Sequence, residues 1–114
     1  MILNGKAKEL FLEWSKTQTD LQIGVQNTNG IGGFLIHLNN NIEALPNRLS
    51  YPFIIEWLDS VGVYVFANRA FAFEEWNFEI LGHFTSGFKY ESRQEATTEA
   101  IKKANELINH EPTL

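Results

Sequence analysis

The chain has 114 residues, enough for one domain and too few for a second core of useful size. Apolar residues make up 44% of it and aromatic residues 13%, which argues for a packed globule and against a disordered chain. Cysteine is absent, which excludes disulfides, thiolate catalysis and Cys-ligated zinc. Fourteen acids against nine bases give a net charge of −5, which disfavours non-specific nucleic-acid binding, where Lys and Arg must neutralise phosphates.

Asn4 is placed as the N-cap of a first helix running to about Thr17. Ala7, Leu10, Phe11 and Trp14 follow at i, i+3, i+4 and i+7 as one apolar stripe. Residues 21–26 and 34–39 alternate with period two around the turn-forming run Asn27-Thr28-Asn29-Gly30-Ile31-Gly32-Gly33, a pattern that predicts a β-hairpin. Pro46 fits the first turn of a second helix ending near Ser60. Pro52 requires that helix either to kink or to begin near Ser50.

Residues 61–68 read as a strand, with Val61, Val63, Val65 and Ala67 on one face and Tyr64 and Phe66 on the other. A strand apolar on both faces is expected at the centre of a sheet or between two covering layers. After a loop over residues 69–75, residues 76–84 alternate with Trp76, Phe78 and Ile80 inward and Asn77 and Glu79 outward. Thr85-Ser86-Gly87 predicts a turn and residues 88–90 a short last strand. Ser92 and Glu95 have the spacing of a capping box. In that motif the Ser92 hydroxyl accepts from the N–H of Glu95 and the Glu95 carboxylate reaches back to the N–H of Ser92. Behind the cap, Ala96, Ala100, Ile101, Ala104, Leu107 and Ile108 share one helical face. The order predicts a single α+β domain over residues 1–114, a small antiparallel sheet packed against an N-terminal, a middle and a C-terminal helix.

Candidate chemistry is sparse. Gly30-Ile31-Gly32-Gly33 completes no phosphate-loop pattern and precedes a strand, so it reads as a hairpin tip. His37, His83 and His110 are too scattered for a sequence-local metal motif, although His37 and His83 could meet across strands. Glu74, Glu75 and Glu79 form the densest acidic group and could split acid and base roles, or simply point into solvent. Asp59 and Ser60 close the second helix, where a carboxylate opposes the helix dipole. That placement marks either a site or a local hydrogen bond that fixes the turn. No nucleophile stands beside a base, and the reading is of a non-enzymatic protein with no cofactor and no metal. Phe71, Phe73 and Trp76 are the candidate partner-binding residues, either an apolar patch on a projecting hairpin or rings folded back over the sheet. No segment has a signal pattern or the length of a membrane span, so a cytoplasmic protein with no membrane partner is expected.

Three stretches carry a resemblance. They are Leu3-Asn4-Gly5-Lys6-Ala7 leading to Phe11 and Trp14; Leu45-Pro46 followed by Asp59-Ser60-Val61-Gly62; and Ser92-Arg93 with Glu95-Ala96, followed by Ala100-Ile101, Lys103-Ala104-Asn105-Glu106-Leu107. Together they resemble small uncharacterised proteins of phages and mobile elements of gut bacteria, over roughly half of the residues. The resemblance implies provenance and no activity. Strands followed by a Ser-capped, Ala-rich helix also look like the end of a double-stranded-RNA-binding domain. In that family the final helix begins with phosphate-gripping lysines. Here that turn holds Glu91, Arg93, Glu95 and Glu99, with Lys102 and Lys103 two turns later. The expected role is therefore binding to a protein partner or self-association, including a homodimer. The alternative is a nucleic-acid-binding module built on a stripe of Arg48, Arg69, Lys89 and Arg93.

Overall fold

A computed structural model of the chain describes residues 1–18, 42, 45–72 and 74–110. The hairpin predicted over residues 21–39, with His37 and the Gly30–Gly33 tip, lies outside these residues, as does Phe73. Among the described residues the elements are α1 (Gly5–Thr17), α2 (Asn47–Ser60), β1 (Val65–Arg69), β2 (Trp76–Ile80), β3 (Phe84–Thr85) and α3 (Arg93–Asn109). The strands form one antiparallel sheet in the order β1-β2-β3, so the fold is α+β as its sequence pattern requires.

One face of the sheet is closed by α3, which lies on β1 and β2; α1 packs on α3, and α2 bridges α1, α3 and β1. The apolar stripe of α1 puts Ala7 and Phe11 fully inside, with Leu10 and Trp14 half-buried beside them. Phe11 meets Trp57 of α2 with ring centres 5.7 Å apart, a tilted arrangement that rings favour over a face-to-face sandwich. On α3, Ala96, Ala100 and Ala104 are wholly buried. Their small side chains let the helix axis come close to the strands, and Ile101 and Ile108 fill the flanks.

The start of α1 is held from the other end of the molecule. Asn4 is the N-cap, as expected, but it makes no side-chain capping bond of its own. The cap comes instead from Asn109 of α3, whose Oδ1 accepts from the N–H of Ala7 at 2.8 Å. Asn4 uses its side chain differently: its Oδ1 accepts from Nδ2 of Asn105 (3.1 Å) and of Asn109 (2.9 Å). Its backbone N–H donates to Oδ1 of Asn105 at 3.0 Å. Gly5 turns the chain into this clamp at φ +59, and a Cβ there would stand 3.0 Å from Oδ1 of Asn109. Glycine is therefore required twice, for its conformation and for the space it leaves.

Several boundaries differ from the sequence pattern. α2 runs unbroken from Asn47 to Ser60 with Pro52 inside it, and Pro46 is its N-cap rather than part of its first turn. Val61 and Gly62 belong to the end of that helix, not to a strand: Val63 donates to the carbonyl of Leu58 at 2.8 Å, and Gly62 takes φ +82. The strand therefore starts at Val65, and among the described strands it is outermost, where its two apolar faces suggest the centre or a place between two covering layers. The expected strand over residues 76–84 is split by a turn at Gly82 (φ +79), so that Phe84 and Thr85 return as β3 against Ile80 and Glu79. Thr85 is in that strand and not in a turn. The last strand shrinks to a bridge between Trp76 and Tyr90. Ser92 caps α3 as expected, accepting from Glu95 N–H at 3.1 Å, but the Glu95 carboxylate takes the N–H of Glu91 rather than that of Ser92.

Candidate interaction surface

The connection between β1 and β2 is pinned at its base, where the N–H of Ala70 donates to the carbonyl of Glu75 at 2.8 Å. This throws Phe71 outward, and its relative exposure of 107% means the ring touches nothing that shelters it. Trp76 parts company with it. The ring is half-buried on the helix-bearing side of the sheet, under the guanidinium of Arg93 at 5.1 Å from its centre. Phe71 is thus a projecting ring and Trp76 part of the packing, so these two do not make one patch.

The second apolar feature is the sheet face turned away from the helices. Tyr64 and Phe66 are each 45% exposed there, and Leu81, whose N–H donates to the Tyr64 carbonyl, is 52% exposed. The register places Glu79 across from Phe66, Thr85 across from Glu79, and Asn77 across from Asn68. Asn77 is nevertheless buried. Its Nδ2 donates to the carbonyl of Ser86 at 3.3 Å, and its Oδ1 has no partner among the described residues.

The four bases of the proposed stripe are linked through shared neighbours. Arg69 lies opposite Trp76 in the register, Arg93 covers the Trp76 ring, and the Lys89 ammonium sits 5.6 Å from the centre of the adjoining Tyr90 ring. Arg48 reaches the same end through a 2.6 Å bond to Gln94, the neighbour of Arg93. Carboxylates are interleaved with them. Glu74 stands 4.0 Å from Arg69, and Glu91 and Glu95 flank Arg93 in the chain. Further along α3, Lys102 and Lys103 pair with Glu99 and Glu106, and Lys103 also lies over Phe84 at 4.6 Å. A shallow groove of about 160 Å³ there is lined by Phe78, Tyr90 and these four charged residues.

The acidic group does not assemble: Glu74 and Glu75 are exposed in the loop, while Glu79 is on the outer sheet face. His83 and His110 are exposed, His83 in the turn between β2 and β3 and His110 at the end of α3. At the end of α2, the carbonyl of Asp59 accepts the Gly62 N–H at 3.1 Å, and the Ser60 hydroxyl bonds the Trp57 carbonyl. These are the local bonds that shape the turn. Among the described residues no cluster of three or more His, Asp or Glu has the geometry to hold a metal ion, and no helix is long and apolar enough to cross a membrane.

No protein-family model matches the chain, and comparisons with curated proteins and with solved structures give no match either.

Proposed function

We propose that this is a small non-enzymatic interaction protein of phage or mobile-element type, acting in the cytoplasm on another protein or on itself through exposed aromatic side chains. The observation that carries this reading is Phe71: a full phenyl ring presented to solvent on a pinned loop gains free energy only when something covers it. The exposed Tyr64 and Phe66 on the outer sheet face extend the apolar surface beyond that loop. Cysteine-free composition fits a reducing compartment, and the three stretches resembling phage-encoded proteins supply the provenance.

A photo-cross-linking residue at position 71 tests this. The expected result is a discrete adduct that excess wild-type chain competes away and excess Phe71→Ser chain does not. The same probe at the exposed Glu74 serves as control; equal labelling at both positions would refute the reading. The linkage of Arg48, Arg69, Lys89 and Arg93 through shared neighbours favours a second reading, a nucleic-acid-binding module. Filter binding at low and moderate salt decides that one, because phosphate contacts must weaken as salt rises.

A further inference from the structure

We propose that β1 is the edge at which a second copy of this chain adds, antiparallel, about a two-fold axis at Ala67, giving one continuous sheet across both copies. This rests on the interaction reading above and names its partner. The even-numbered residues of β1 turn their peptide groups to β2, as shown by Leu81 N–H on the Tyr64 carbonyl (2.9 Å) and Ala70 N–H on the Glu75 carbonyl (2.8 Å). Alternation along an antiparallel strand then directs the N–H and C=O of Val65, Ala67 and Arg69 away from the sheet. Among the described residues nothing bonds to them, and β1 is outermost in the strand order.

The inner face is also unfinished at this edge. Ile80 and Phe78 are 0% and 3% exposed, yet their cross-strand neighbours Val65 and Ala67 remain only half-buried. β1 contains no proline and a single charge, Arg69, and its pairing with β2 runs without a bulge. That charge lies at the end of the strand, 4.0 Å from the exposed carboxylate of Glu74.

Self-pairing fits this strand. With Ala67 facing Ala67 of the second copy on the axis, the outward groups meet in register, and the small side chain lets the strands close. Val65 then opposes Arg69 of the second copy, so no like charges face each other. On the outer side the two Phe66 rings become diagonal neighbours at about 7–8 Å, within reach of aromatic contact. Their exposed surface is covered by the same event.

Sedimentation of the full chain over a range of concentrations tests the proposal, with amide exchange followed at Val65, Ala67 and Arg69. The expected wild-type result is a concentration-dependent species of two 13.1 kDa chains, with exchange at those amides slowing as it forms. Ala67→Pro deletes an N–H that β2 does not use, so it abolishes the dimer while the internal ladder keeps its bonds. Phe66→Lys, at an exposed position, guards against misfolding of the proline variant. It places two cations diagonally across the axis and weakens association roughly tenfold or more. A single 13.1 kDa species at all concentrations overturns the proposal, as does a dimer that survives both edge variants. A dimer lost in Phe71→Ser but kept in both edge variants overturns the edge and leaves the loop reading standing.

Discussion

Replacing Asn105 by Ala tests whether the asparagine clamp holds the helical layer together. Asn105 is 8% exposed, and its carboxamide makes two bonds to Asn4, accepting from the backbone N–H and donating to Oδ1. Each bond contributes a net of about 0.5–1.5 kcal/mol, and a part-buried N–H left without a partner adds to the loss, giving about 2–3 kcal/mol in all. Asn4 Oδ1 keeps its bond from Asn109, so the remaining acceptor is not stranded. Alanine is the better helix former by about 0.6 kcal/mol, which offsets part of this. The expected net loss is about 1.5–2.5 kcal/mol, a large share of a total stability of about 5–15 kcal/mol. For a chain of this length it lowers the melting midpoint by about 6–10 °C. Urea unfolding followed by tryptophan fluorescence reads it out, since Trp57 is buried against Phe11 at the junction of α1 and α2. An unchanged m-value would show that the native and unfolded states kept their compactness. A loss below about 0.5 kcal/mol, the range of an ordinary surface substitution, would refute the clamp argument. So would an additive double-mutant cycle between Asn4→Ala and Asn105→Ala.

Three further outcomes are expected. Gly5→Ala destabilises by about 1–3 kcal/mol, from the φ of +59 and the 3.0 Å approach to Asn109, and adding Asn109→Ala relieves the steric part, so the two changes are not additive. Ser92→Ala costs about 1 kcal/mol, because the Glu95 N–H loses its acceptor at the start of α3; thermal unfolding measures it. Phe71→Ser leaves the unfolding midpoint where it was, since the ring has no contacts in the fold to lose, while removing whatever association the loop supports.

The helical layer was legible in the sequence because a helix reports its buried face at fixed spacing. The stripes of α1 and α3 and the Ser92 cap all fall where periodicity puts them. The sheet was harder, for reasons that follow from what period two leaves open. Alternation says that Val65 and Ala67 share a face and Tyr64 and Phe66 the other, and the structure agrees. It says nothing about which strand is outermost, and an edge strand can be apolar on both faces. Residues 76–84 alternate without interruption, yet a glycine at φ +79 folds that run back on itself. The asparagine clamp was invisible as a unit, because Asn4 and Asn105 are a hundred positions apart in the chain and each alone reads as a polar helix-end residue. The candidate site was legible in part. Phe71 does project, but Trp76 points to the other side of the strand, as the inward alternation of Trp76, Phe78 and Ile80 already implied.

Three stretches of the sequence have plain physical roles in the fold. Leu3-Asn4-Gly5-Lys6-Ala7 and Ala104-Asn105-Glu106-Leu107 are the two sides of the clamp, joined by the bonds of Asn4 to Asn105 and by the burial of Leu3, Ala7 and Ala104. Asp59-Ser60-Val61-Gly62 is the turn that ends α2 and aims the chain into β1. Each is a solution to a packing or capping problem, so a sequence pattern built on them identifies an architecture and carries no chemistry. Among the described residues the apolar surface left open is elsewhere, at Phe71 and at Tyr64 and Phe66 on the outer side of β1. Five uncharged residues with two exposed rings and outward peptide groups make an edge of the kind that pairs with other strands. Such an edge is retained at no cost when it is covered in use, and that is the physical reason to look for a partner strand there before looking for a substrate.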